Sequence, residues 1–140
     1  MDTELNKDLD TLEEIKDMFS MFSDPLDMIS QLIDIGKVNH NLNDNEKIDN
    51  NIIRGCTSRA WLTISEISKD CYLIKTDSDS HIVSGLLYLL SLSVNNQSKR
   101  NIQAVDGIKI LNSIGLHTRI TSQRTNGFLG AIETLKKQIK

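Results

Sequence analysis

The sequence predicts an α+β fold, in which a small antiparallel sheet packs against several helices in a single domain. Three observations indicate this class. Two apolar stripes of helical spacing occupy the first forty residues, two alternating segments follow between residues 59 and 76, and three more helical segments come after residue 80. The 140 residues, 39% of them hydrophobic, suit one domain with one core, and neither a repeat nor a linker divides them.

Two helices are predicted before residue 37. Apolar residues recur at steps of three and four over residues 5–22, and a second stripe covers residues 26–33. Asp24 and Pro25 are a typical N-cap and first-turn pair, and Gly36 is a typical helix end. We expect these two helices to form an antiparallel pair.

The middle of the chain predicts a loop and a hairpin. Residues 38–51 are rich in asparagine and aspartate, which indicates a surface loop with one helical turn around Glu46. Arg59–Ser68 alternates as a strand does, and Cys71–Thr76 is its predicted hairpin partner. Because a two-stranded ribbon alone is marginally stable, we expect either a covering helix or a further strand. Ile48–Arg54 is the candidate for that further strand.

Three helices are predicted in the second half. The serine and aspartate run at residues 77–80 is a helix-start signal, and Ile82–Val94 is apolar on nearly every side, as a central buried helix should be. A further helix is expected over Ile102–Ile114, ending at Gly115. Thr121 or Ser122 then caps the last helix.

Composition excludes several classes of function. The net charge of −3 and the aromatic content of 4% argue against nucleic acid as the main partner. The acidic N-terminus has no apolar run, and Ile82–Val94 is shorter than the roughly 18 residues of a membrane span, so we expect neither a leader nor a membrane anchor. Two cysteines are too few for a disulfide scaffold, which favours a reducing, cytoplasmic compartment.

Cys56 is the candidate reactive residue. It directly follows Gly55, which can adopt a positive φ and present the next side chain, and Arg54 and Arg59 flank it. Nearby arginines stabilise a thiolate, the nucleophilic form of cysteine. A buried structural cysteine fits the local sequence equally well. Cys71 lies in an apolar strand and is more typical of a core thiol.

Other chemistries have little support. No metal-ligand spacing joins His40, His81 or His117 to one another or to the thiols, so no metal site is predicted. A Cys56–His–Asp arrangement built from distant residues stays open. The sequence contains no phosphate-binding glycine loop, dinucleotide fingerprint or nucleophile elbow.

Three blocks of the sequence, GCTSRAWL at residues 55–62, DSDSHIVSGLL at 77–87 and TSQRTNGF at 121–128, together resemble the SufE family, the sulfur acceptors of iron–sulfur cluster assembly. Residues 55–62 (GCTSRAWL) resemble its GCxSxVWL signature, and residues 77–87 (DSDSHIVSGLL) resemble its DSDAxIVKGL block. Residues 121–128 (TSQRTNGF) are similar to its final (T/S)PSRxNGL block. The blocks stand in the order and spacing of the family, so the resemblance implies one SufE-like domain over residues 1–140.

The sequence departs from the family at three places. Ala60 stands where the signature has valine, and Gln123 follows Ser122 where the final block has a proline–serine pair. The proline-rich loop before the cysteine is replaced by the asparagine-rich residues 38–51. Partner contacts made by that loop are therefore in doubt.

The resemblance implies a sulfur relay in which Cys56 is the accepting thiol. A SufS-type cysteine desulfurase, which uses pyridoxal phosphate, would form a persulfide on its own cysteine, and Cys56 would take the terminal sulfur and pass it to a SufB-type scaffold complex. The protein would stimulate the desulfurase as an accessory factor rather than act as an enzyme, and it would need no cofactor of its own. Trp61, Ile52 and Ile53 are expected walls of an apolar shelter for the loop.

Asp79 and Arg124 match positions of the family, and by that resemblance they are candidate contacts to the desulfurase or positions that hold the cysteine loop. Gly55 is expected to shape the loop through its backbone freedom, and Arg59 is a further candidate contact because strand alternation exposes it. Asp79 also suits the first turn of a helix, whose dipole favours an acid. Arg124 near a helix N-terminus opposes that dipole, which favours a role with a partner or with the loop.

Three alternatives remain open at this point. The chain could be a CsdE-type acceptor that serves a different desulfurase. It could be an IscU-type scaffold of the same fold, although such scaffolds need three cysteine ligands and this chain has two cysteines. It could also be a thiol redox sensor in which Cys71 resolves a sulfenate at Cys56. Monomer and homodimer are both compatible with the sequence.

Overall fold

The computed structural model describes residues 11–39, 41–55 and 58–139, and it confirms the predicted α+β class. Six α-helices and one two-stranded antiparallel sheet lie within these residues. In chain order the elements are α1 Leu12–Phe19, α2 Pro25–Val38, β1 Ala60–Ser68, β2 Cys71–Ser78, α3 His81–Val94, α4 Lys99–Gln103, α5 Gly107–Ile114 and α6 Ser122–Gln138. Short 3-10 helices at Asp44–Glu46 and Asp49–Asn51 lie between α2 and β1, the first of them at the turn predicted around Glu46.

The sheet is the predicted hairpin. Ala60 pairs with Ser78 at its open end, and Ser68 pairs with Cys71 next to the turn. Ile67 has no partner, so a bulge shifts the register by one residue near the turn. Helix α3 packs against β2 and supplies the covering helix that the ribbon needs.

The further strand expected over Ile48–Arg54 does not form. Only one isolated bridge, from Ile52 to Trp61, and a hydrogen bond of 2.8 Å from the Ile53 N–H to the Ala60 carbonyl extend the sheet there. The preceding residues coil into a 3-10 turn instead, because the Asn51 side chain donates a hydrogen bond of 2.7 Å to the Glu46 carbonyl.

Helix α3 is the buried centre of the molecule, as predicted, and α2 packs along it. The two backbones touch at Gly36 and Gly85. A Cβ on Gly36 would collide with the His81 carbonyl oxygen, and a Cβ on Gly85 would collide with that of Leu32. Within the described residues α2 takes α3 as its main partner and α1 packs on α5 and α3, so the expected antiparallel pair of the first two helices is not seen there.

Helix boundaries follow local capping. Helix α1 begins after Thr11, whose side chain accepts a hydrogen bond of 3.1 Å from the Glu14 N–H. The stripe predicted upstream, over residues 5–10, lies outside the described residues. Thr121 caps α6, as one of the two predicted alternatives, by accepting a hydrogen bond of 3.3 Å from the Arg124 N–H.

The single helix predicted over Ile102–Ile114 is in fact two helices, α4 and α5. The chain leaves the helical path after α4, and Asp106 caps α5 by accepting a hydrogen bond of 3.2 Å from the Lys109 N–H. Aspartate favours an N-cap over a helix interior, and Gly107 is a poor interior residue, so the sequence Asp106-Gly107 starts a new helix. Among the described helices, none combines the length and apolar character needed to cross a membrane.

Candidate functional site

The three sequence blocks meet at the open end of the hairpin. The first block ends in β1, the second leaves β2 and enters α3, and Ala60 at the start of β1 is paired with Ser78 at the end of β2. The third block opens α6, and Arg124 in its first turn lines the same apolar pocket as Ala60. The fold thus gathers segments that are up to 70 residues apart around residues 54–59, here called the site loop.

Cys56 and its neighbour Thr57 lie outside the described residues, so the flanks of the site loop define its geometry. Gly55 has a φ of +82°, the positive value expected from its place before the cysteine. No atom of the described residues lies within 4 Å of the position that a Cβ on Gly55 would occupy, and both Arg54 and Gly55 are exposed. On the inner side, the Arg54 carbonyl approaches α6 at Gly130, where an added Cβ would lie 3.0 Å from that oxygen.

Arg59 and Asp79, two of the predicted partner-contact residues, form an ion pair. The Arg59 Nε lies 2.7 Å from the Asp79 Oδ2, and the Asp79 N–H also donates a hydrogen bond of 3.0 Å to the Arg59 carbonyl. The side chains are 72% and 50% exposed. An exposed pair of this kind contributes only about 0–1 kcal/mol to stability, so its main effect is to orient two charged groups at the exit of the site loop.

Asp79 does not lie in the first turn of α3, contrary to one expectation. Ser80 is the N-cap of that helix, and its side chain accepts a hydrogen bond of 3.3 Å from the Val83 N–H. Asp79 precedes the cap, so a helix-dipole role explains its position less well than the ion pair with Arg59 does.

Arg124 is half-buried and lies near Ile53 and Ala60, which flank the site loop. It borders a small apolar pocket with an internal volume of about 10 Å³. The other residues that line this pocket are Ile53, Ala60, Val83, Leu86, Leu87, Gly127 and Phe128. Within residues 11–39, 41–55 and 58–139, Arg124 makes no ion pair.

The expected apolar walls are present in part. Ile53 lines the pocket, whereas Ile52 pairs with Trp61 beside it. Trp61 is 7% exposed and does not line the pocket itself. Of these three residues, Ile53 is therefore the one that lines the apolar pocket.

Two charged residues next to Trp61, Lys47 and Asp77, were not predicted as site residues from the sequence. The Lys47 Nζ lies 3.1 Å from the Asp77 Oδ2, and Asp77 is 2% exposed. Lys47 and Arg59 both contact the Trp61 ring, each with its charged group 5.7 Å from the ring centroid. Counting outward from the hairpin turn would place Ser78 opposite Trp61, but the bulge at Ile67 moves Asp77 to that position.

Cys71 is a free thiol, half-buried, at the turn end of the hairpin. The eight steps of β1 from Ala60 to Ser68 span about 26 Å, and the four residues from Cys56 to Ala60 reach back about 14 Å at most. A disulfide needs Cα atoms within about 7 Å. A disulfide between Cys56 and Cys71 of one folded chain is therefore excluded, which removes the intramolecular redox-sensor alternative.

Comparison with known proteins agrees with this geometry. The family model for SufE, described as an Fe-S metabolism associated domain, matches residues 13–139. An uncharacterised SufE-like protein of Rhizobium etli is 29% identical over 133 residues, which cover 93% of this chain and 90% of that protein. The sulfur acceptor protein CsdE of Escherichia coli is 29% identical over 127 residues, or 89% of this chain and 85% of CsdE.

A solved structure shares the fold. The solution structure of a hypothetical protein from Thermus thermophilus superposes with a TM-score of 0.70 at 14% sequence identity, and the match covers 91% of this chain and 92% of that one. At this identity the likeness concerns the arrangement of helices and strands, which is the arrangement described above.

Proposed function

The chain belongs to the SufE family of Fe-S metabolism, and from that premise we propose that Cys56 accepts sulfur from a SufS-type cysteine desulfurase and passes it to a SufB-type scaffold complex. The observation that carries the proposal is the meeting of the three sequence blocks around the site loop. In this role the protein is an accessory sulfur acceptor that stimulates its partner.

The transfer is a thiol exchange without net oxidation. The Cys56 thiolate attacks the terminal sulfur of the persulfide on the desulfurase, a new S–S bond forms on Cys56, and the old S–S bond breaks. The electron pair of that bond leaves with the cysteine of the desulfurase, which becomes a thiolate again. The rate of such an exchange depends on the thiolate fraction and on access to the attacked sulfur. Pyridoxal phosphate acts earlier, within the desulfurase.

Two features beside the loop support this chemistry. Arg54, Gly55 and Arg59 are exposed, so a partner can reach the site loop from outside. On the inner side lies the apolar pocket, bordered by Ile53, Ala60 and the half-buried Arg124. A persulfide is easily lost to small reductants, and an apolar pocket next to the loop is a suitable place to shield it from water.

Arg59, Asp79 and Arg124 are the proposed contacts to the desulfurase. The Arg59–Asp79 pair is exposed, so either member can exchange its partner for an opposite charge on a docking surface at little cost. Arg124 has its guanidinium at the unfavourable end of a helix dipole, and a carboxylate from a partner would relieve that disadvantage.

The test is intact mass spectrometry after incubation with a SufS-type desulfurase, pyridoxal phosphate and cysteine, together with desulfurase turnover. We expect one added sulfur atom on Cys56, located by tryptic mapping, and faster turnover. The Cys56→Ser variant should lose both effects, and Cys71→Ser is the matched control that should keep both. Stimulation retained by Cys56→Ser, or sulfur on Cys71 alone, would show the proposal to be wrong.

A CsdE-type role is the second candidate, favoured by the 29% identity to the Escherichia coli sulfur acceptor protein CsdE. The two roles differ in the desulfurase that donates the sulfur. The same assay with a CsdA-type desulfurase separates them, because an acceptor of that branch should gain sulfur from this enzyme and gain none from the SufS type.

A further inference from the structure

Lys47 lies in the segment before the site loop and contacts Asp77 near the end of β2. Its Nζ lies 3.1 Å from the Asp77 Oδ2 and 3.9 Å from the Asp44 Oδ1. The Lys47 side chain is 28% exposed, so most of it is packed, and its ammonium lies over the Trp61 ring. This contact set differs from that of a solvated surface lysine.

The contact is important because the Asp77 side chain is buried. The carboxylate is almost fully buried, and its Oδ1 accepts a hydrogen bond of 2.8 Å from the Ser78 N–H. A buried carboxylate is tolerated when cations and hydrogen-bond donors surround it. Removing one partner of such a pair is far more damaging than replacing both, because the first change leaves a charge in a dry environment.

The pair connects the two flanks of the site loop. Lys47 belongs to the segment that enters the loop, and this segment is tied to the start of β1 through Ile52 and Ile53. Asp77 belongs to β2 and is opposite Trp61, which lies two residues beyond Arg59 at the loop exit. The ion pair, the bridge and the tryptophan therefore lie at one point from which both ends of the loop emerge.

We propose that the Lys47–Asp77 ion pair is a latch that holds the entering and leaving flanks of the site loop in fixed relation, and that Lys47 is a positioning residue for the sulfur-accepting thiol. The proposal rests on the proposed function for its biological meaning. The latch itself is a contact between described residues of the folded chain, and it needs no desulfurase to form.

The test measures the latch in a Cys71→Ser background, which leaves Cys56 as the single thiol. Four proteins are compared with that parent: Lys47→Met, Asp77→Asn, the double variant and Lys47→Arg. The first readout is the second-order rate of Cys56 alkylation by iodoacetamide. The second is the concentration at which each protein half-saturates stimulation of the desulfurase.

We expect Lys47→Met to raise the alkylation rate and the half-saturating concentration each by about tenfold, with stimulation at saturation unchanged. The double variant should be closer to the parent than Lys47→Met, because an asparagine at position 77 needs no ammonium. Lys47→Arg keeps the charge and should remain close to the parent.

Two controls separate the latch from general effects. Lys109→Met removes an exposed lysine from α5, and Ile110→Val weakens the core of α5 away from the loop; neither should shift either readout. If Lys47→Met behaves like Ile110→Val, or if the double variant is no milder than Lys47→Met, the latch is wrong. If alkylation responds as expected while the parent fails to stimulate either type of desulfurase, the latch stands and the proposed function fails.

Discussion

Gly55 shows how one residue sets the geometry of the site. Its φ of +82° lies in the left-handed region, where a Cβ is strained, yet no described residue comes within 4 Å of where that Cβ would lie. The requirement for glycine is therefore conformational rather than steric. The residue that follows is Cys56, so under the proposed function we expect the conformation of Gly55 to affect how the thiol is presented.

Replacing Gly55 by alanine should lower the free energy of unfolding by about 1 kcal/mol, because alanine is strained at this φ. The matched variant Gly55→Asn should lose less, since asparagine tolerates the left-handed region better than other side chains. Urea denaturation of both variants measures the difference. Equal losses in the two variants would show that the conformation of residue 55 is not what is being measured.

At the scale of elements, the predictable part of the fold is the part governed by local rules. Asp24 and Thr121 cap α2 and α6 as their side chains predict, and the hairpin forms where alternation indicates it. The break between α4 and α5 carried a readable signal in Asp106, but the continuous apolar stripe concealed it. At each of these helix starts, the boundary depends on a capping side chain within four residues of it.

Contacts between distant segments could not be predicted in this way. The choice of α3 as the partner of α2 depends on Gly36 and Gly85 facing each other, which requires the fold to be known. The bulge at Ile67 has no clear sequence signal, and it decides that Asp77 rather than Ser78 faces Trp61. The residues proposed for the candidate site lie mainly in the blocks that resemble the family. Lys47 was not among them, because it lies in the asparagine-rich segment that departs from the family.

The crossing of α2 and α3 gives a stability prediction. A Cβ on Gly85 would meet the Leu32 backbone, which cannot rotate away as a side chain can. Gly85→Ala should therefore lower the free energy of unfolding by about 3 kcal/mol or more, despite the better helix propensity of alanine. Thermal and urea unfolding test this, with exposed Asn112→Ala as the helix control. A gain in stability at position 85 would mean that the two helices do not touch as described.

At the scale of the whole molecule, the hairpin separates two chemical environments. Its open end carries the site loop, the apolar pocket and the cluster of charges around Trp61, and its turn end carries the half-buried Cys71. The length of β1, about 26 Å from the strand rise, keeps the two thiols apart in the folded state. Oxidation of Cys56, and the sulfur transfer proposed for it, should therefore not depend on Cys71.

Mild peroxide treatment of the folded protein should give no intramolecular disulfide, because the two thiols cannot approach each other. Intact mass after alkylation under non-reducing conditions measures this, and Cys71→Ser should show the same oxidation products at Cys56 as the unchanged protein. A monomer in which both thiols are blocked as one disulfide would contradict the described hairpin. The same treatment in denaturant, where the chain is free, serves as the positive control.

The bulge at Ile67 sets the register of every strand pair between the turn and the open end of the hairpin. If Ile67 were instead paired with Tyr72 in a regular ladder, β1 would be displaced by one step along β2, and Trp61 would lie opposite Ser78 rather than Asp77. The bulge near the turn therefore determines that Asp77 lies opposite Trp61, where it contacts Lys47. A change that removed the bulge without removing a residue would therefore alter the Lys47–Asp77 contact at the opposite end of the sheet.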